Sequence, residues 1–466
     1  MYFQRFFEPK LASASYLVGC QKSGEAIVVD ANRDIDQYID AAAANGLTIA
    51  YTTETHIHAD FISGSRALAA RTGAQLLLPA LGDYAFPNQP LADGDRILLG
   101  NVRLDVVHTP GHTPEHIIFL LTDTVATTRP WGVLSGDFVF VGDVGRPDLL
   151  ERAVKVQGTA ERSARNLFVS LQRFRELPAD LQIWPGHGAG SACGKALGAM
   201  PSTTLGYELA TNWAFQQADE QAFVRAVLSG QPEPPRYFAI MKRVNRAGPD
   251  RESTVARPPR MPDAALGPLL DAKAVIVDLR RADAFAAAHV PGTINIPLTR
   301  AFPTWAGSVL AYDADVYLIG DDERATIEAT HDLALIGLDR VAGRWTRQVI
   351  DRWRQTGGAI GTVAHIDAGG LADALRAGTV AVIDVRDESE WDSGHLAEAI
   401  HLPLATLAAR LDEIPRGRSI VVHCQAGSRS AIAASLLTAS GIPDVRNLTG
   451  GIAAWPGALV NGGRDT

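Results

Sequence analysis

Thr55-His56-Ile57-His58-Ala59-Asp60-Phe61-Ile62-Ser63-Gly64 follows a β-type run, Leu47 to Thr53, and its reading decides how the first half of the chain folds. In extended backbone alternate side chains share a face, so His56, His58 and Asp60 are expected to reach one cavity while Ile57 and Ala59 pack away from it. Two imidazoles and a carboxylate converging at a strand exit form a metal-type donor set.

The flanking sequence supplies more strand ends of this kind. Ala26 to Asp30 reads as a short apolar strand closed by an aspartate, Ile35 to Asn45 as an alanine-rich helix ended by Gly46, and Ser65 to Thr72 as a second helix. The strand Gln75–Leu78 and a hairpin, Arg96–Leu99 with Val102–His108 joined at Gly100-Asn101, come next. Thr109-Pro110-Gly111-His112-Thr113-Pro114-Glu115-His116 then puts His112 at a strand end. Val133 to Asp137 ends another strand in an aspartate, and Ile183-Trp184-Pro185-Gly186-His187 ends a third in a histidine. Strands alternating with helices predict a layered α/β architecture.

Composition bounds the rest. A chain of 466 residues predicts about three domains at ~150 residues each. The 46% hydrophobic and 20% charged content is that of a globular protein. No apolar run reaches the ~18 residues of a membrane span, and the N-terminus shows no signal-peptide pattern, so a cytoplasmic location is expected. The net charge of -9 argues against a nucleic-acid partner, which requires a concentrated basic surface. The partners expected are small molecules. Three cysteines, Cys20, Cys193 and Cys424, make no disulfide framework, and each is either buried filler or chemistry.

The ordered series of strand-end motifs over residues 1–240 resembles the metallo-β-lactamase superfamily, whose αββα sandwich carries metals at such ends. The resemblance implies that a first metal site would use His56, His58, His112 and Asp137, and a second Asp60, Phe61, Asp137 and His187. A phenyl ring cannot bind a cation, so Phe61 argues against two metals and against the hydrolysis that two metals support. One metal held by two histidines and a carboxylate is the donor set of non-haem Fe(II) oxygen chemistry. The chain is similar to the persulfide dioxygenase branch of the superfamily, which implies His56, His112 and Asp137 as ligands of one Fe(II) per chain, with Zn the alternative metal. His58 is then a fourth ligand or an outer group, and Asp60 and His187 orient ligands or bound water.

Other polar residues have two readings. Arg146, in Gly142-Asp143-Val144-Gly145-Arg146-Pro147-Asp148, either steers an anionic thiol substrate or forms a loop-stabilising salt bridge. Cys193, in a glycine-rich loop that starts beside His187, either relays sulfur or is inert. His108 and His116 are expected to be structural.

From Gly230 to Pro262 prolines and arginines accumulate, which predicts a linker at 241–261. Beyond it the chain repeats itself. Ala274 to Arg280 matches Ala381 to Arg386, both with Asp-x-Arg at a strand end. His289 and His395 both lie 11 residues after that aspartate, and Pro297 and Pro403 both lie 19 after it. The pattern resembles the rhodanese domain and implies two α/β copies with parallel sheets, 262–357 and 362–464. In the second copy the strand Ser419–His423 enters Cys424-Gln425-Ala426-Gly427-Ser428-Arg429-Ser430 and a helix begins at once. A cysteine cradled at a helix N-terminus is expected to be a thiolate nucleophile. Four residues separate Cys424 from Arg429, one fewer than in the loop of phosphatases, so the resemblance is to sulfurtransferases. It implies that Cys424 and Arg429 are catalytic and that Gln425, Ala426, Gly427, Ser428 and Ser430 line the substrate loop. In the first copy the equivalent strand runs into Gly320-Asp321-Asp322-Glu323-Arg324, without a cysteine, so that copy is expected to be silent.

Joined together, these readings describe a multidomain α/β enzyme that oxidises a thiol persulfide with O2 to sulfite. Cys424 would move sulfane sulfur in a thiosulfate-forming or thiosulfate-consuming direction, within a homo-oligomer. The alternatives are a thioester hydrolase similar to glyoxalase II, and a non-enzymatic sulfur carrier or redox-sensing adaptor.

Overall fold

The computed structural model describes residues 1–154, 158–195, 197–248 and 257–461. The chain forms two compact units, Met1–Val255 with Leu335–Gly337, and Ala256–Ala334 with Leu338–Thr466.

The first unit is built on two six-stranded sheets. One has the order β1 (Tyr2–Glu8), β2 (Ser13–Cys20), β3 (Glu25–Val29), β4 (Thr48–Thr53), β5 (Gln75–Pro79) and β6 (Gln89–Leu91). The other runs from β7 (Arg96–Leu99) through β8 (Val102–His108), β9 (Ile117–Asp123), β10 (Gly132–Gly136) and β11 (Gln182–Pro185) to β12 (Thr203–Thr204). Period-two alternation sorts the side chains into layers. On β2 and β3, Tyr16, Val18, Ile27 and Val29 meet Leu104, Val106, Phe119 and Leu121 of the facing sheet in a central core. Their neighbours Leu17, Ala26 and Val28 turn outward with Ile35, Tyr38 and Leu68 from the helices beside that sheet. Behind the second sheet, Ile118 and Leu120 pack against Leu167, Leu171 and Phe174 of the helix Thr159–Arg175. The result is an αββα sandwich.

The hairpin at Gly100-Asn101 forms as expected, with Leu99 opposite Val102. Strands β1, β2 and β9 have no counterpart in the sequence reading, because they are buried along their length or paired at an edge. Every residue of β2 is buried, so it carries no polar alternation to mark it. The boundary expected at 240 falls inside a helix, Phe238–Ala247. That helix belongs to the sandwich, since Asn245 Nδ2 donates to the carbonyls of His58 and Phe61. Residues 249–256 of the expected linker lie outside the described residues.

The second unit holds two all-parallel sheets. The first has the order β14 (Ile294–Asn295), β13 (Val275–Asp278), β15 (Val316–Gly320), β16 (Val341–Thr346). The second contains β17 (Ala364–Ile366), β18 (Val380–Asp384), β19 (Ala399–His401), β20 (Ser419–His423) and β21 (Val445–Leu448), in the order β17-β21-β20-β18-β19. Taken as β13/β18, β14/β19, β15/β20 and β16/β21, the two orders coincide. The repeat extends to side chains. Arg280 grips Asp278 and Arg386 grips Asp384, both in buried pairs. His289 stacks on Phe285 at 3.9 Å and His395 on Trp391 at 3.5 Å, and each histidine donates Nδ1–H to the carbonyl four residues back.

Candidate metal centre and sulfur-transfer loop

Extended backbone ends at Thr53, and the chain then bends repeatedly through residues 54–64. His56, His58 and Asp60 therefore do not converge on one point. They enter three separate groups: His56 with His112 and Asp137, His58 with Asp30 and Glu54, and Asp60 with His187 and Cys193. All nine side chains are buried.

In the first group the Nε2 atoms of His56 and His112 lie 3.9 and 3.5 Å from Asp137 Oδ2. Hydrogen bonds set the tautomers. His112 Nδ1 donates to the Arg146 carbonyl at 3.1 Å. His56 Nδ1 donates to Thr55 Oγ1 at 2.9 Å, whose own hydrogen goes to Asp30 Oδ2 at 2.9 Å. Both Nε2 lone pairs are thus left to face Asp137. Burial holds the His56 imidazole well below its ordinary value and lowers that of His112, so both are neutral, the form that binds metals. Although burial alone would raise it, the Asp137 carboxyl is held far below the usual range by His187 and His112, and its Oδ2 has no hydrogen-bond partner. A buried orphaned carboxylate oxygen and two unshared imidazole lone pairs fit a divalent cation.

The backbone under this group is fixed as well. Asp137 N–H donates to His116 Nε2 at 3.0 Å, and His116 Nδ1 donates to Thr109. At Gly145 a Cβ would stand 1.8 Å from the Asp137 carbonyl oxygen and 3.1 Å from His112 Cβ, so only glycine allows this approach.

His58 Nε2 lies 3.0 Å from Asp30 Oδ1 and 2.9 Å from Glu54 Oε2. Burial works against its charge, yet those two carboxylates hold it well above its ordinary value. Its geometry is that of an outer group, and Phe61 stacks on its ring at 4.3 Å. His187 bridges two carboxylates, Asp137 Oδ1 and Asp60 Oδ2, each at 2.7 Å. Against the effect of burial, these push it up to about 10, so His187 is an imidazolium held between two carboxylates. Cys193 completes this group, but burial and the carboxylates of Asp137 and Asp60 raise its thiol well above the ordinary value.

Arg146 corrects the anion-steering reading. Its side chain is fully buried in a bidentate pair with Asp148, at 2.9 and 2.7 Å, and only its carbonyl reaches the metal group, through His112. Asp30, Glu54 and Thr55 were not anticipated as site residues. Asp30 left one signal, a strand-ending aspartate that here adopts the left-handed region at φ 56°. A narrow cleft, partly open to solvent, reaches His56 and His58 between Leu78, Tyr84 and Phe86.

In the second unit, β18, β19 and β20 end level with one another, with Asp384 opposite both His401 and His423. Cys424 follows β20, and the helix Ser428–Ala439 starts four residues later. Gly427 N–H lies 3.1 Å and Ser430 Oγ 3.5 Å from Cys424 Sγ. Against its burial, these donors lower the thiol below its ordinary value. Gln425, Ala426 and Ser428 are exposed at the rim. Arg429 departs from the role expected of it, because its guanidinium is clamped by Glu390 at 2.6 and 2.6 Å and by Asp387 at 3.3 Å. The sulfur is held by the loop instead.

A metallo-beta-lactamase superfamily model matches residues 9–187, and a rhodanese-like domain model matches residues 367–458. The crystal structure of a metallo-beta-lactamase from Staphylococcus aureus subsp. aureus COL is 45% identical with a TM-score of 0.69, covering 74% of this chain and 99% of that one. The chain belongs to the metallo-beta-lactamase superfamily. Within the superfamily, a mitochondrial persulfide dioxygenase of Bos taurus is 32% identical over 188 residues, 40% of this chain and 67% of that protein. A hydroxyacylglutathione hydrolase of Rhodospirillum rubrum is 29% identical over 174 residues, 37% of this chain and 60% of that protein. This member of the superfamily thus couples a metal-binding sandwich to a rhodanese-like domain. No helix among the described residues is long and apolar enough to cross a membrane.

Proposed function

We propose that this protein oxidises a low-molecular-weight thiol persulfide, such as glutathione persulfide, to sulfite, and that Cys424 carries sulfane sulfur as a persulfide beside that reaction. The observation that carries the reading is the group of His56, His112 and Asp137, two neutral imidazoles and one carboxylate that no fourth ligand joins among the described residues. These residues would hold one Fe(II). When bound, the iron supplies the redox chemistry by which R–S–SH, O2 and H2O become R–SH and sulfite. The chain's own residues fix the tautomers of the two histidines through Thr55 and the Arg146 carbonyl, and hold Asp137 ionised. A persulfide would approach His56 from the side of Tyr84 and Phe86, where a narrow cleft opens to solvent. The copy at 262–357, which has no cysteine, would be a catalytically silent rhodanese-like repeat, serving as spacer, subunit contact or docking surface.

Oxygen uptake on adding glutathione persulfide to the Fe(II)-loaded protein, with sulfite formed in equal amount, is the expected result. Full metal loading without oxygen uptake overturns the reading. A second reading, thioester hydrolysis, is favoured by the group of Asp60, His187 and Cys193 beside the first. It requires two metal ions per chain and turnover of an acylglutathione, whereas the proposal requires one ion.

A further inference from the structure

The narrow cleft that reaches His56 and His58 is walled by Leu76, Leu78, Tyr84 and Phe86. Tyr84 Oη is buried, and none of the described residues accepts its hydrogen. Its neighbours fix its position. A Cβ at Gly82 would stand 2.2 Å from Tyr84 Cε2, so the ring lies directly on that glycine, and Phe86 meets it edge-on at 5.6 Å. The loop that carries it is tied to the helix Phe238–Ala247: Ala85 N–H donates to the Arg246 carbonyl at 2.9 Å, and Arg246 Nε donates to the Asp83 carbonyl at 3.1 Å.

A buried hydroxyl without an acceptor destabilises the fold that holds it. Burial, and after it the charges of Glu115, Glu54 and Asp30, hold the phenol well above its ordinary value, so Tyr84 keeps its proton and is a donor. Those carboxylates are engaged elsewhere: Glu115 accepts the Ile57 N–H at 3.0 Å, Glu54 meets Ser63 and His58, and Asp30 meets Thr55 and His58. His58, on the same cleft, likewise leaves Nδ1 without a partner among the described residues. The acceptor for Tyr84 therefore comes with whatever enters the cleft.

Its apolar walls favour a slim, weakly hydrated group over the carboxylates and amides of a thiol carrier, which stay at the mouth. Resting on the reading of this site as a persulfide oxygenase, we propose that Tyr84 is a substrate-binding residue that selects persulfide over thiol: its hydroxyl donates to the outer sulfur of R–S–S⁻. That sulfur ionises more readily than a thiol, and a charged acceptor strengthens the hydrogen bond. A thiol is one sulfur shorter, so with its carrier at the mouth it ends before the hydroxyl and gains nothing from it. The proton stays on the Tyr84 oxygen, and the residue holds the sulfur chain beside His56 without making or breaking a bond.

The test is Tyr84→Phe in the full-length protein, which keeps the ring and removes only the hydroxyl. Titration calorimetry on Fe(II)-loaded protein kept free of oxygen gives the affinities for glutathione persulfide and for glutathione, and oxygen uptake gives KM and kcat. The variant is expected to bind the persulfide about tenfold more weakly, with KM raised in proportion and kcat within about twofold, while glutathione affinity and metal content stay the same. Urea unfolding of the metal-free variant should show no loss of stability, since the hydroxyl has no partner to lose. Unchanged persulfide affinity overturns the proposal, as does an equal loss for persulfide and thiol, which would place the hydroxyl against the carrier. Lost stability overturns it too, because the hydroxyl would then serve the fold. Persulfide binding without oxygen uptake in the wild-type protein removes the oxygenase reading alone, and the affinity comparison still decides this one; a wild-type protein that binds no persulfide removes both.

Discussion

At the residue scale, the side chains that hold the ligands matter as much as the ligands. Thr55 sits between His56 Nδ1 and Asp30 Oδ2 and is fully buried. Thr55→Val keeps the shape but strands both partners. Metal affinity is expected to fall 10–100-fold, as is usual when a ligand loses its supporting hydrogen bond, and a competitive chelator titration would measure it. At Cys424 the Ser430 hydroxyl favours the thiolate. Ser430→Ala should therefore move the thiol's titration upward, so that alkylation by iodoacetamide at pH 7 slows several-fold while the rate above pH 10, where the thiolate forms regardless, stays the same. An unchanged pH profile would leave the loop amides as the sole stabilisers.

At the element scale, strand ends and close backbone approaches build the sites. Gly145 lets its loop lie against Asp137. Gly145→Ala should lose metal while the second unit keeps sulfur transfer, read by metal content and cyanide turnover in one preparation. In the second unit the helix that follows Cys424 packs on β14 of the first repeat, where Ser435 Oγ accepts the Asn295 N–H at 2.9 Å. Asn295 Nδ2 in turn donates to the carbonyls of Asp278 and Arg280. Asn295→Ala removes the donor of those two buried carbonyls and should cost about 1–3 kcal/mol in urea unfolding. A change in sulfur transfer at the same position would mean that the first repeat positions the helix that follows Cys424. The elements with a polar face or a turn signal, such as the hairpin at Gly100-Asn101, were legible in the sequence. The buried β2 was not, since it shows no period against solvent, and the helix crossing residue 240, although Phe238, Met241 and Asn245 line one buried face, was hidden by the prolines and arginines around it that read as a linker.

At the scale of the whole molecule, the group of His56, His112 and Asp137 and the loop at Cys424 belong to different compact units. Adding Fe(II) at 100 times its dissociation constant stabilises the unit that binds it by about 2.7 kcal/mol. Scanning calorimetry should therefore show one transition rise with metal while the other stays put, and a common shift of all the heat absorption would mean that the units unfold together. The parallel sheets of the second unit repeat the same strand order, as the shared spacing of Asp278 to His289 and Asp384 to His395 anticipates.

The sequence by itself determined the α/β layering, the internal repeat, the strand-end donors and the loop that begins at Cys424, because each is written in local spacing, which backbone geometry converts directly into position. Tertiary structure alone decided the partners. Alternation along Thr55 to Gly64 predicted one cavity, but the chain bends after Thr53 and His56, His58 and Asp60 part company. Which carboxylate each of them meets depends on segments up to 127 residues away, as His187 meets Asp60. The same holds for Arg429, whose pairing with Glu390, 39 residues earlier, takes its charge from the loop it was expected to serve. Charge pairing is a matter of distance in space, and no period in the chain encodes it.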